Sequence, residues 1–109
     1  MCIFSISKFE YLAKNNPQEL ITLIKDGLLE AADLTFAIEI AGRIKGYDIE
    51  VMEVFRLVMT HDSAYVREGV VYGLAQIGNC QAKELLRQLN ENDKSPEVRQ
   101  AAIDALEVI

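Results

Sequence analysis

Three observations make this chain an all-α protein, expected to form a short right-handed α-solenoid of about three and a half helix pairs. Val66-Arg67-Glu68-Gly69-Val70-Val71-Tyr72-Gly73-Leu74 returns 32 residues later as Val98-Arg99-Gln100-Ala101-Ala102-Ile103-Asp104-Ala105-Leu106, and a weaker copy, Leu34 to Gly42, lies 32 residues earlier. An independent segment repeats as well: Glu19-Leu20-Ile21-Thr22-Leu23-Ile24 matches Glu53-Val54-Phe55-Arg56-Leu57-Val58, which matches Glu84-Leu85-Leu86-Arg87-Gln88-Leu89. Each copy sets one acid ahead of apolar residues at i, i+1 and i+4, the spacing of a helix face turned inward. Finally, no period-2 alternation flanks a tight-turn dipeptide, so no hairpin is predicted.

The elements follow from the punctuation between apolar runs. Ser7, with Glu10 three residues on, reads as a capping box for a first helix over 8–14. Asn16-Pro17, with Glu19 at the third helical position, opens a second that ends near Asp26-Gly27. A longer helix is predicted from Asp33 to Lys45, stopped by Gly46, and Asp48 is predicted to cap the next, which runs to Met59. Ser63 opens a fifth helix that Gly78 closes, Asn79 starts a sixth, and Ser95-Pro96 opens the last. The second helices of the pairs are thus the ones beginning near residues 17, 48 and 80.

Length and charge limit the possible functions. With 109 residues, half of them hydrophobic, the chain is expected to be one repeat domain over 1–109, with a divergent first repeat over about 1–30. Seventeen acids against eleven bases leave a net charge of −6, which opposes nucleic acid and anionic membrane and favours a basic protein partner. Cys2 and Cys80 have neither metal-ligand nor disulfide-framework spacing, which suits a reducing cytoplasm. The amino-terminal residues do not read as a secretory signal or myristoylation site and no apolar run reaches membrane length, so the chain is expected to be soluble and unanchored. Phosphate loops, zinc-protease spacing and nucleophile elbows are missing too, so no enzyme activity, cofactor, metal or small-molecule substrate is expected.

Asp62 ahead of Val66-Arg67 and, one residue further off, Asp93 ahead of Val98-Arg99, each followed by small residues and a leucine, resemble the HEAT-like repeats first noted in phycobilin lyases. The resemblance covers nearly the whole chain and implies that Asp62, Arg67, Asp93 and Arg99 form an internal ladder between repeats. It also implies, more remotely, bilin attachment or release as a lyase-like activity. The first repeats depart from the pattern, with Leu34-Thr35 where Val-Arg stands later.

Small residues recur at i and i+4 as Ala37/Ala41, Gly69/Gly73 and Ala101/Ala105, where a neighbouring helix could approach closely. Two glycines in one helix cost up to about 1 kcal/mol each relative to alanine, so tight packing is the expected compensation. The third helix carries apolar residues over a wide arc (Leu34, Phe36, Ala37, Ile38, Ile40, Ala41, Ile44), as a helix wedged between two repeats would. Tyr65 and Tyr72 are expected to pack against the adjacent repeat, Cys80 to be a small packed residue, and His61 to be solvent-exposed or to serve at a helix end.

The acids are unevenly spread. Residues 26–53 hold Asp26, Glu30, Asp33, Glu39, Asp48, Glu50 and Glu53 against Arg43 and Lys45, which is five of the six net negative charges. The outward residues of the second helices are therefore the expected binding face: Glu19, Thr22, Glu50, Glu53, Arg56, Glu84 and Arg87, with Tyr47 and Asp48 at the rim. A small acidic chain without chemistry of its own is expected to be an immunity or antitoxin-type inhibitor of a basic bacterial nuclease, or else a scaffold, adaptor or fragment of a larger HEAT assembly.

Overall fold

The computed structural model describes residues 6–109 and holds seven α-helices among them: α1 (Ile6–Asn15), α2 (Pro17–Lys25), α3 (Ala31–Ala41), α4 (Asp48–Val58), α5 (Ala64–Ile77), α6 (Cys80–Asn92) and α7 (Pro96–Val108). The first helices of the pairs form one layer, α1 against α3, α3 against α5 and α5 against α7, while α2 and α4 lie side by side in the other. The molecule measures 33 × 30 × 20 Å, and its short dimension matches two helix diameters of about 10 Å.

The second helices bury the residues their pattern required. Leu20, Ile21 and Ile24, then Val54, Phe55 and Val58, then Leu85, Leu86 and Leu89 all lie in the core, while the acids that lead each copy are exposed. Close approach draws the other layer together. A Cβ on Gly69 would stand 3.1 Å from the Thr35 carbonyl oxygen, and one on Gly73 only 2.6 Å from Phe55 Cζ and 3.0 Å from the Ile38 carbonyl oxygen. Gly42 is tighter still, its Cβ falling 2.5 Å from the Gly73 carbonyl oxygen. The missing side chains let α3 and α5 meet backbone to backbone, which offsets the helix propensity the glycines forfeit.

Several element boundaries differ from the sequence reading. Ser7 lies inside the first turn of α1, because the helix that buries Phe9 and Leu12 extends back to Ile6. Helix α3 begins at Ala31 and stops at Ala41; three i→i+3 bonds, Gly42 N–H to Glu39 O, Arg43 N–H to Ile40 O and Ile44 N–H to Ala41 O, tighten the chain beyond it. Tyr47 rather than Asp48 is the N-cap of α4, leaving Asp48 in the first turn, where its charge complements the helix dipole. Gly78 ends α5 in the left-handed region at φ 62°, and Asn79 caps α6 by accepting the Ala82 N–H at 2.8 Å. Ser95 caps α7 through Val98 N–H, but Asn16 and Ser63 occupy their cap positions without a side-chain bond.

Of the four residues expected in the ladder, Arg67 and Asp93 bond between repeats, whereas Arg99 bonds only within its own. Arg67, 4% exposed, grips Asp93 with Nε on Oδ2 at 2.9 Å and Nη2 on Oδ1 at 3.2 Å. Its Nη1 donates to the carbonyl oxygens of His61 (2.8 Å) and Asp62 (3.0 Å), and Arg99 Nη1 donates in the same way to the Asp93 carbonyl at 2.7 Å. Asp62 enters only through its backbone and is exposed, contrary to the expected role of its carboxylate. The 32-residue register explains this: His61, not Asp62, answers to Asp93, and His61 Nδ1 accepts the Ser63 N–H (3.0 Å) as Asp93 Oδ1 accepts the Ser95 N–H (2.9 Å). One register earlier, Thr35 stands where Arg67 would be, so both partners of that rung are replaced together.

Candidate functional site

The residues expected to bind a partner fall on α2, α4 and α6 or at the amino end of α4. Glu19, Glu53 and Glu84 occupy equivalent positions on the three second helices, and all three are exposed. Thr22, Arg56 and Arg87 follow each acid by three residues and are exposed as well. Asp48 is exposed, whereas Tyr47 and Glu50 are half-buried, the tyrosine packing against the core. Glu84 and Arg87 meet each other, Arg87 Nη1 to Glu84 Oε2 at 3.3 Å, in a solvent-exposed pair of the kind that contributes well under 1 kcal/mol. The packing of α2 against α4 sets the Glu19 and Glu53 helices side by side, while α6 joins the molecule through α5 and α7.

His61 is half-buried and takes the helix-end role expected of it, its Nδ1 occupied by a backbone N–H. Cys80 departs from expectation: it is exposed at the start of α6, because the α6 face that enters the core carries Ala82, Leu85, Leu86 and Leu89. Among the described residues, no group of three His, Cys, Asp or Glu side chains is placed to hold a metal ion, and no helix is long and apolar enough to cross a membrane.

The layer of first helices carries a second set of surface groups that sequence reasoning turned inward. Tyr65 is 79% exposed and Tyr72 42%, so neither is packed away in the adjacent repeat; Phe36 is exposed too, outside the buried arc of α3. The signal was present in α5 itself, where Val66, Val70, Val71 and Leu74 define the buried face and leave the two tyrosines on its flank. The Tyr72 hydroxyl donates to Glu68 Oε1 at 2.7 Å. That bond, partial burial and the negative charges of Glu68, Glu39 and Asp104 push its pKa up from 10.0 to about 12. The charges of carboxylates on α3, α5 and α7 thus all act on one phenol.

Stacked helices, an internal arginine–aspartate ladder and backbone-close packing at small residues define a helical-repeat protein. The family model for HEAT repeats matches residues 34–107, more than half of the chain, and the protein belongs to that family. The match begins within α3, so α1 and α2 lie outside it. No curated protein and no solved structure matches the chain significantly. HEAT repeats are generally non-catalytic, and their presence suggests a protein–protein interaction module.

Proposed function

We propose that the protein is a non-catalytic module whose second-helix face docks a basic protein, most specifically an immunity-type inhibitor that caps a bacterial nuclease toxin in the cytoplasm. The observation that carries this reading is the register of Glu19, Glu53 and Glu84, one exposed acid at the same place on each second helix. With Asp48 and Glu50 at the amino end of α4, these acids would suit a cationic nucleic-acid cleft, and Tyr47, Arg56 and Arg87 would supply side chains suited to anchoring. Such a face would steer association by charge and block by occupancy, with no bond made or broken. The test is affinity capture from the native host with the wild-type protein and with a Glu50→Lys/Glu53→Lys variant of unchanged Tm. One basic partner, lost in the variant, supports the reading; a partner retained by the variant sinks it.

One observation favours a second reading, a subunit or segment of a larger repeat assembly. Arg99 repeats the Arg67 position and its bond to a backbone carbonyl, yet among the described residues no carboxylate stands opposite it as Asp93 stands opposite Arg67. A neighbouring repeat could supply one. Light scattering would then show self-association that Arg99→Ala weakens, whereas a monomer at all concentrations would dismiss it.

A further inference from the structure

Between α5 and α7 the layer of first helices leaves an open groove of about 620 Å³ that repeat packing does not fill. Ala75, Ala101 and Ala105 form its apolar lining, and Val108, 80% exposed, extends it at the carboxyl end of α7. Tyr72 stands beside it, and Glu68, Glu97 and Asp104 complete its walls. No lysine or arginine lines it. The carboxylates hold only neutral donors: Tyr72 on Glu68, Gln100 on Asp104 at 2.9 Å, and the Ser95 hydroxyl on Glu97 at 3.0 Å. An apolar floor beneath uncompensated negative walls fits a side chain with an alkyl stem and a cationic head.

We propose that this groove docks an arginine-bearing segment of a partner protein, the stem lying along the alanines and the guanidinium set between Glu68 and Asp104 beside the Tyr72 ring. A planar guanidinium matches both a carboxylate, through paired N–H donors, and the face of an aromatic ring; a lysine ammonium offers only a point charge. A second copy of this chain is a poor occupant, because its corresponding groove carries the same negative charge. The same carboxylates, Glu68 foremost, hold the Tyr72 hydroxyl protonated well above its ordinary range, in keeping with the negative walls of the groove. The site lies on the layer away from the second-helix face, so it stands or falls separately from the function proposed above.

The experiment is an NMR titration of the 15N-labelled full chain with the peptide Gly-Arg-Gly-Arg-Gly-Arg-Gly, repeated with Lys and with Glu in place of Arg. Shifts centred on Glu68, Tyr72, Ala101, Asp104 and Val108 are expected, with tighter binding of the Arg than the Lys peptide and none of the Glu peptide. Loss of two exposed charge contacts should weaken Arg-peptide binding about fivefold in Glu68→Gln/Asp104→Asn, while Glu10→Gln on α1, outside both the groove and the second-helix face, leaves it unchanged. If the double variant does not fold, Glu97→Gln replaces it, with a loss of about twofold expected. Equal affinity of the variant and wild-type proteins, shifts centred on α2 and α4, or a Lys peptide that binds as tightly as the Arg peptide would overturn the proposal.

Discussion

Arg67 on α5 and Asp93, just ahead of α7, form a two-point ion pair with side chains only 5% and 3% exposed, at 2.9 and 3.2 Å. Asp93 also accepts the Ser95 N–H, so one carboxylate both neutralises the buried guanidinium and ties the turn that starts the next repeat. Removing one partner of a buried pair leaves the other uncompensated, at a cost of about 3–5 kcal/mol. Asp93→Ala is expected to fall in that range in urea denaturation, and the Arg67→Met/Asp93→Ala double variant to lose clearly less than the sum of the singles. Additive losses would show that the pair is not coupled.

The closest helix approach makes a prediction opposite to helix propensity. Gly73→Ala should gain helix propensity of up to about 1 kcal/mol, yet its Cβ would lie 2.6 Å from Phe55 Cζ. Overpacking of this kind costs about 1–3 kcal/mol, so a net loss of stability is expected. Gly69→Ala, with its nearest atom at 3.1 Å, should lose less. Pairing Gly73→Ala with Phe55→Leu should recover part of the deficit in thermal melts, since the clash is with the far edge of the ring.

Two helix caps provide a matched contrast. Asn79 accepts the Ala82 N–H and Ser63 makes no side-chain cap bond. Asn79→Ala should therefore cost about 1 kcal/mol and Ser63→Ala only a few tenths, measured as shifts of the denaturation midpoint at constant slope.

Tyr72 should titrate well above the ordinary range of a tyrosine. Its folded pKa, about 12, lies above the unfolded value of 10.0, so its contribution to stability is fully present below pH 10 and is lost as pH rises toward 12. The difference in ultraviolet phenolate absorbance between the wild-type protein and Tyr72→Phe isolates this group. Glu68→Gln is expected to move the transition down, since Glu68 supplies the largest effect.

Much of this architecture was legible because it depends on spacing. Apolar residues at i, i+1 and i+4 in 20–24, 54–58 and 85–89 can be buried together only on a helix, and the small residues at 69 and 73 announced the approach that Gly42 extends. The ladder was legible in residue type but not in register, because Asp62 lies beside the aligned position and the residue in register, His61, does Asp93's work with a ring nitrogen. Surface assignments were harder. Tyr72 lies on the flank of a buried stripe, and only the relative placement of α3, α5 and α7 decides that it feels the charges of Glu39 and Asp104 instead of packing into a neighbouring core. Charge counting along the chain found the acids of 26–53 but not those that α5 and α7 bring to one groove.

The most direct measurement is the association rate of the captured basic partner with the wild-type and Glu50→Lys/Glu53→Lys proteins across a range of salt concentrations. Charge-steered docking on the second-helix face predicts a rate that falls steeply with ionic strength and is at least about tenfold slower for the variant at low salt. A rate indifferent to both salt and the two substitutions would contradict the account and move the binding surface elsewhere on the repeat.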